Sequence, residues 1–116
     1  TLARPNYLTK KFSGQMGGLS GKPLTDKSTE VIRNFYRLTK GEIPIIGAGG
    51  ISSGQDAYDK IKAGASAIQI YSALVYHGPE LANQINQDLL KLLERDGLSS
   101  IKDAVGSDHG DLKKCA

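Results

Sequence analysis

The order of apolar and polar positions in the middle of the chain predicts one strand–loop–helix–strand unit. The apolar run at residues 43–46 is too short for a helix and rich in β-branched residues, which favours a buried parallel strand. Capping-box spacing from Ser52 to Gln55 predicts the start of a helix that ends at Gly64. A second strand is predicted at residues 67–71. The helix should bury three of its residues, which are Ala57, Tyr58 and Ile61.

An irregular segment and a further helix precede this unit. Residues 1–16 show no sustained period of two or 3.6 and are interpreted as a long loop, a candidate cover for a pocket. A glycine cluster at residues 17–24 stands before a helix predicted over residues 28–39. Val31, Phe35 and Leu38 form one apolar stripe of this helix, with Ile32 and Tyr36 beside it.

A long amphipathic helix is predicted after the unit. Pro79 occupies the favoured first helical position, and Gly97 ends the helix. A short helix is predicted over residues 100–105, whereas Asp108 and His109 are interpreted as part of a tail too polar to pack by itself. The apolar residues of the long helix recur at helical spacing and are Leu81, Ile85, Leu89, Leu92 and Leu93.

The small number of predicted strands indicates that residues 1–116 are the C-terminal portion of a larger α/β domain. Two parallel strands leave an edge on each side of the sheet and cannot bury both of its faces. The formal charge of +3 comes from 15 basic and 12 acidic residues that are dispersed, which predicts no nucleic-acid partner. Cys115 is the only cysteine, so a reducing compartment is expected. No apolar stretch reaches the roughly 20 residues of a membrane span.

Small and hydroxyl residues stand where the predicted strands end. Gly49 and Gly50 follow the first strand, and glycine there permits positive φ and lets backbone amides approach a phosphate. Tyr71 and Ser72 end the second strand. If both loops meet the Ser20-Gly21 turn on one face, their donors suit the phosphate of flavin mononucleotide (FMN). The alternative is that the glycines only make tight turns.

The order of these elements predicts the fold class, but the sequence does not predict a catalytic residue. Two parallel strands that are joined by a helix and end in small residues are typical of the last part of a (β/α)8 barrel, although a doubly wound sheet could contain the same unit. The chain offers no nucleophile–base pair and no close carboxylate pair, so no catalytic residue is predicted here. His77 and His109 lack a second ligand at metal spacing, so no metal site is predicted either.

Four segments of the chain carry a resemblance to a known family, and they are GGLSGKPL at 17–24, ST at 28–29, IPIIGAGGISSGQDAYDKIKAGAS at 43–66 and QIYSALVYHGP at 69–79. These segments resemble the C-terminal third of class 2 dihydroorotate dehydrogenases. The resemblance implies an FMN-dependent (β/α)8-barrel enzyme of pyrimidine biosynthesis, which oxidises dihydroorotate to orotate and passes electrons to ubiquinone. It implies FMN contacts at Ser20, Gly21, Gly49, Gly50, Ile70, Tyr71 and Ser72. Ile70 and Ser72 stand where the family often has Leu and Thr.

The same resemblance implies that several parts of the intact enzyme precede Thr1. These parts are the catalytic serine, the asparagines that hold substrate and the helices that dock on a membrane, so this segment alone should be inactive. The implied location is the mitochondrial inner membrane or, alternatively, a bacterial cytoplasmic membrane. Alternative functions are another FMN barrel, such as a class 1 dihydroorotate dehydrogenase or a dihydrouridine synthase, and a non-catalytic phosphate-binding module. Gly50→Val should abolish flavin retention because its side chain would intrude on the phosphate.

Overall fold

The computed structural model describes Gly14 and residues 16–110, which form a two-stranded parallel sheet and the helices that pack against it. The two strands, β1 and β2, alternate with helices as the sequence pattern predicts. In chain order the elements are a 3-10 turn (Lys22–Leu24), α1 (Thr25–Leu38), β1 (Ile46–Ala48), α2 (Gly54–Ala63), β2 (Ala67–Gln69), α3 (Ser72–His77), α4 (Leu81–Arg95) and α5 (Ile101–Ala104).

Strands β1 and β2 are parallel, and Ile46 pairs with Ala67 at the start of the register. The prediction of a strand at residues 43–46 is wrong in its bounds. Pro44 has no amide hydrogen, and pairing to the second strand begins with the carbonyl of Ile45, which accepts from the amide of Ser66 at 2.8 Å. An apolar run therefore located the strand approximately but could not show where hydrogen bonding starts.

Strand β2 ends at Gln69, two residues before the predicted end at Tyr71. Tyr71 has φ −137° and ψ −83°, which is not an extended conformation, and it is the N-cap of α3. The α3 helix itself was not predicted, because its six residues are too few for a helical period to be recognised.

Helix α1 begins at Thr25, three residues before its predicted start. The apolar stripe is not the buried side of the helix, because Val31, Phe35 and Leu38 are 50%, 58% and 77% exposed, whereas Ile32 beside it is buried. The apolar residues of this helix lie close together within residues 31–38, so its periodicity does not reveal which of them face α2 and β1.

Helix α2 confirms the predicted core residues and corrects the predicted cap. Ala57, Tyr58 and Ile61 are buried, and Gly64, with φ 126°, follows the last turn. The N-cap is Ser53, whose Oγ accepts from the amide of Asp56 at 3.2 Å, so the capping pair lies one residue later than Ser52 and Gln55. Ser53 has the extended backbone that an N-cap needs, with φ −148° and ψ 166°.

Ser52 has a different contact at the start of α2. Its amide and its Oγ both donate to Oδ2 of Asp56, each at 3.0 Å. The carboxylate of Asp56 therefore connects the first turn of the helix to the loop that follows β1.

Helix α4 buries Leu81, Ile85 and Leu93, as its spacing predicts. Pro79, however, is not its first residue. The N-cap is Glu80, and the amide of Leu81 donates to the carbonyl of Gly78 at 3.3 Å. Pro79 therefore belongs to the turn between α3 and α4. The packed faces of α2, α4 and α5 share a core cluster formed by Tyr58, Ile61, Leu93 and Ala104.

The segment after α5 packs on α1, so the prediction of an unpacked polar tail is wrong. Arg33 donates to Asp108 at 3.1 Å, and the ring of His109 stacks on that of Tyr36 with centroids 5.0 Å apart. Nε2 of His109 also lies 3.1 Å from the carbonyl oxygen of Ala63. These partners are distant in sequence, so no local pattern could have indicated them.

Two of the earlier predictions fall on parts of the chain without a structural description. The predicted cover loop lies outside the described residues except for Gly14 and Met16, and Cys115 also lies outside them. None of the helices within residues 16–110 has the length and apolar character required to cross a membrane.

Candidate functional site

Three loops of the described structure meet around one cavity of about 600 Å³. They are the turn before α1, the loop that follows β1 and the loop that follows β2. Every residue that the sequence suggested for cofactor binding lines this cavity, which brings together Ser20, Gly21, Gly49, Gly50, Ile70, Tyr71 and Ser72. The volume lies within the range of about 300 to 1,000 Å³ typical of small-molecule sites.

The first and third loops are joined by a direct hydrogen bond. Oγ of Ser72 donates to Oγ of Ser20 at 2.9 Å, although these residues are 52 positions apart in sequence. A Cβ placed on Gly21 would lie 3.8 Å from Cβ of Ser72, which is an ordinary contact. Glycine at position 21 is therefore favoured by its φ of 87° and not by lack of space.

The second loop needs glycine for a different reason, its close approach to α1. Gly49 and Gly50 have φ of 97° and 74°. A Cβ on Gly50 would lie 2.7 Å from Cα of Thr25 and closer still to N and Oγ1 of Thr25. A Cβ on Gly49 would lie 3.2 Å from Ser28. A side chain at Gly50 would thus collide with α1, which corrects the expectation that it would act chiefly by intruding on a phosphate.

Hydroxyl groups of α1 bind the carbonyls of this second loop. Oγ of Ser28 donates to the carbonyl of Gly49 at 2.8 Å, and Oγ1 of Thr25 donates to that of Gly50 at 2.6 Å. In a trans peptide the N–H points opposite to the preceding C=O, so the amides of Gly50 and Ile51 point away from these hydroxyl groups. Amides with this orientation favour an anion over a cation.

The charged side chains around the cavity also favour an anion over a cation. None of the described residues that line it is Asp or Glu, whereas Lys22 contributes a positive charge to its wall. In the part of the chain that the structure describes, no group of three His, Cys, Asp or Glu residues is arranged to hold a metal ion. The arrangement is suited to a phosphate held by backbone amides and hydroxyl groups.

Lys60 on α2 supports the second loop from behind, and the sequence pattern did not indicate it. Its side chain is fully buried, and Nζ donates to the carbonyl of Thr25 at 3.0 Å, to Oγ of Ser28 at 2.7 Å and to Oγ1 of Thr29 at 2.8 Å. Burial lowers the pKa of Lys60. A lysine in a helix usually faces water. The one sequence feature that could have indicated a buried lysine is the pair of hydroxyl residues Ser28 and Thr29 on α1, which accept its hydrogen bonds.

A second polar contact, which is partly buried, is made by Tyr58 of α2. The hydroxyl of Tyr58 donates to Oδ2 of Asp96 at 2.8 Å. Burial and this hydrogen bond raise the pKa of Tyr58 to about 12, while hydrogen bonds from Arg95 and from Tyr58 lower the pKa of Asp96 to about 2. Neither Tyr58 nor Asp96 lines the cavity, so the contact connects α2 to the end of α4.

The chain is similar to one enzyme family along most of its length. The family model described as dihydroorotate dehydrogenase matches residues 3–93. A dihydroorotate dehydrogenase (quinone) from Xanthobacter autotrophicus is 58% identical over 108 residues, which cover 93% of this chain and 30% of the relative. A mitochondrial dihydroorotate dehydrogenase (quinone) from Arabidopsis thaliana is 51% identical over 110 residues, covering 94% of this chain and 24% of the relative.

A solved structure agrees with the sequence comparison. Ligand-free dihydroorotate dehydrogenase from Eimeria tenella matches with a TM-score of 0.88 and 41% identity, covering 94% of this chain and 30% of that one. The predicted fold class, part of a (β/α)8 barrel, is thereby confirmed. The chain spans roughly a quarter to a third of the length of the relatives it matches.

Proposed function

Because the chain belongs to the dihydroorotate dehydrogenase family, we propose that it is the C-terminal portion of a quinone-linked, FMN-dependent enzyme that oxidises dihydroorotate to orotate in pyrimidine biosynthesis. The catalytic base and most substrate contacts would come from the rest of the protein. The similar proteins from Xanthobacter autotrophicus and Arabidopsis thaliana both carry the name dihydroorotate dehydrogenase (quinone), which supports a quinone as electron acceptor.

The segment's own task in this proposal is to bind the FMN phosphate in the cavity between the three loops. The convergence of Ser20, Gly50 and Ser72 on that cavity is the observation that carries the proposal. The hydroxyl groups of the two serines and the amides beside Gly50 would hold the phosphate oxygens. Ile70 and Tyr71 would form part of the wall along the rest of the cofactor.

Electrostatics supports the assignment of an anion to this cavity. A phosphate ester carries about 1.5 to 2 negative charges at neutral pH and is repelled by carboxylates. The described lining residues include no carboxylate, and Lys22 stands at the rim. When bound, FMN supplies the redox chemistry, and the residues of this chain hold and orient it.

An exposed apolar face supports the proposal that the segment is one part of a single barrel domain. Val31, Phe35 and Ile46 are each at least half exposed and line an open cleft of about 430 Å³ between α1 and β1. In an intact barrel a neighbouring strand and helix would cover such a face. The membrane helices would likewise come from the rest of the protein, at the mitochondrial inner membrane or at a bacterial cytoplasmic membrane.

The test uses the full-length protein that contains this segment. We expect the purified protein to release FMN on denaturation and to oxidise dihydroorotate faster with a ubiquinone analogue than with fumarate or NAD as acceptor. Turnover with fumarate or NAD alone would indicate a class 1 enzyme, and reduction of uridine in tRNA would indicate a dihydrouridine synthase. Absence of any flavin from the intact protein would favour a non-catalytic phosphate-binding module.

A further inference from the structure

We propose that Lys60 is a positioning residue for the phosphate site and that it sets the direction of the Gly49–Gly50 peptide through Ser28. The inference rests on the proposed FMN site and names a residue that does not itself line the cavity. The two hydrogen bonds that connect Lys60 to this peptide are among the shorter ones in the described structure, at 2.7 Å from Lys60 to Ser28 and 2.8 Å from Ser28 to Gly49.

The chemistry of the donor makes this connection directional. An ammonium group only donates hydrogen bonds, so Oγ of Ser28 must accept from Lys60. The single hydrogen of the Ser28 hydroxyl then remains for the carbonyl of Gly49, since the alternative acceptor, the carbonyl of Thr25, is farther away at 3.2 Å. Because the peptide is trans, a carbonyl held towards Ser28 orients the amide of Gly50 in the opposite direction.

The same ammonium group also contacts Thr25, the other α1 residue that binds the loop. Nζ of Lys60 donates to the backbone carbonyl of Thr25 at 3.0 Å, whereas the side chain of Thr25 binds the loop, with Oγ1 2.6 Å from the carbonyl oxygen of Gly50 and 2.8 Å from that of Lys22. Lys60 therefore contacts both α1 residues that bind the loop. If the contact with Ser28 is lost, the carbonyl of Gly49 that Ser28 holds is free to rotate, and a carbonyl oxygen turned towards the cavity would repel a phosphate.

Stability alone does not explain a charge at this position. A fully buried ammonium group loses its hydration, and an apolar side chain of similar volume often gives equal or greater stability. The three hydrogen-bond acceptors of Lys60 are neutral oxygens, while the carboxylates of Asp26, Asp56 and Asp59 act on it at longer range. A methionine would keep most of the volume and remove all three donors. A lysine here is better explained by the orientation that it imposes on the loop.

The test compares FMN with riboflavin, which has the same ring system but no phosphate. Dissociation constants for both would be measured by flavin fluorescence on the full-length protein after removal of its cofactor. We expect Lys60→Met to weaken FMN binding roughly ten- to hundredfold, the effect of losing hydrogen bonds from a charged donor, and to leave riboflavin binding unchanged. Lys62→Met is the matched control, because Lys62 is on the same helix and its Nζ lies 4.0 Å from Asp59, outside this network.

Ser28→Ala tests the connection without removing the buried charge. We expect it to weaken FMN binding selectively as well, and the double variant Lys60→Met with Ser28→Ala to bind no more weakly than Lys60→Met alone, because both changes break one chain of contacts. Should Lys60→Met not fold, the Ser28→Ala result decides, and unchanged FMN affinity in that variant overturns the proposal.

Two other outcomes would also overturn it, and they have different meanings. Equal weakening of FMN and riboflavin by Lys60→Met would show that Lys60 supports the fold and not the phosphate site. If the unmodified protein itself binds FMN no more tightly than riboflavin, the phosphate site is wrong, and the role of Lys60 fails with it. The first outcome leaves the proposed function intact, so the two failures are distinguishable.

Discussion

A methyl group at Gly50 tests how closely the second loop packs against α1. The φ of Gly50 is 74°, and a Cβ there would lie 2.7 Å from Cα of Thr25 and closer still to its N and Oγ1. Two of these three atoms belong to the backbone, so rotation of the Thr25 side chain cannot remove the clash. We therefore expect Gly50→Ala to push the loop away from α1 and to break the 2.6 Å hydrogen bond from Thr25 to the Gly50 carbonyl.

The magnitude can be estimated from two separate costs. A non-glycine residue in the left-handed region costs about 1 to 2 kcal/mol. Overpacking in a close contact adds about 1 to 3 kcal/mol. The free energy of unfolding should thus fall by about 2 to 5 kcal/mol. Gly97 provides the matched control, because its φ is 69° and no atom lies within 4 Å of a Cβ built there. Gly97→Ala should cost only the first contribution, about 1 to 2 kcal/mol.

Both variants would be measured in the full-length protein by urea denaturation, with the flavin content determined after purification. We expect Gly50→Ala to be the less stable variant and to lose FMN during purification, whereas Gly97→Ala should retain it. Equal destabilisation by the two substitutions would refute the close packing of Gly50 on Thr25. Full flavin content in a folded Gly50→Ala protein would refute the role of this loop in holding the cofactor.

Two further predictions concern α2 and its contacts. Because the pKa of Asp96 is lowered from 3.8 to about 2, the stabilisation from this carboxylate is present above pH 3.8 and is lost as pH falls towards 2, and Asp96→Asn should flatten the pH dependence of unfolding in that range. The pKa of Tyr58 is raised from 10.0 to about 12, so its contribution is present below pH 10 and declines above it, a decline that Tyr58→Phe should remove. At the N-cap, Ser53→Ala should cost about 0.5 to 2 kcal/mol, whereas Gln55→Ala should cost less than about 0.5 kcal/mol.

Unfolding free energies between pH 2 and 12 would check the first of these predictions, and urea denaturation at neutral pH would check the second. An acid slope that is unchanged in Asp96→Asn would mean that other carboxylates account for it. A larger loss for Gln55→Ala than for Ser53→Ala would restore the capping pair that the sequence alone suggested.

Local patterns predicted the parts of the fold that depend on neighbouring residues. The alternation of strands and helices, the burial of Tyr58 and Leu93, and the helix end at Gly64 follow from periodicity and from glycine's tolerance of positive φ. The members of the candidate site were also predictable. Small residues after parallel strands collect at one edge of a sheet, and Gly50 and Ser72 do line one cavity.

Predictions failed where the sequence offered several similar candidates, or where the partner of a residue lies far away along the chain. Ser52 and Ser53 are adjacent residues of the same type, and the extended backbone of Ser53 decides which of them caps α2. Several apolar residues on α1 could have faced inward, and contact with α2 and β1 selected Ile32 over Phe35. His109 looked like part of a solvated tail because its partner Tyr36 is distant in the sequence.

The sequence by itself predicted the order of the strands and longer helices, the family and seven of the residues that line the cavity, because each follows from short motifs and repeating spacings. Only the tertiary structure decided which contacts hold those residues in place. Gly50 is required by the approach of α1, and Lys60 is buried because three oxygens of α1 surround it. Both effects depend on distances between segments 25 to 35 residues apart, which local propensity does not specify and packing does.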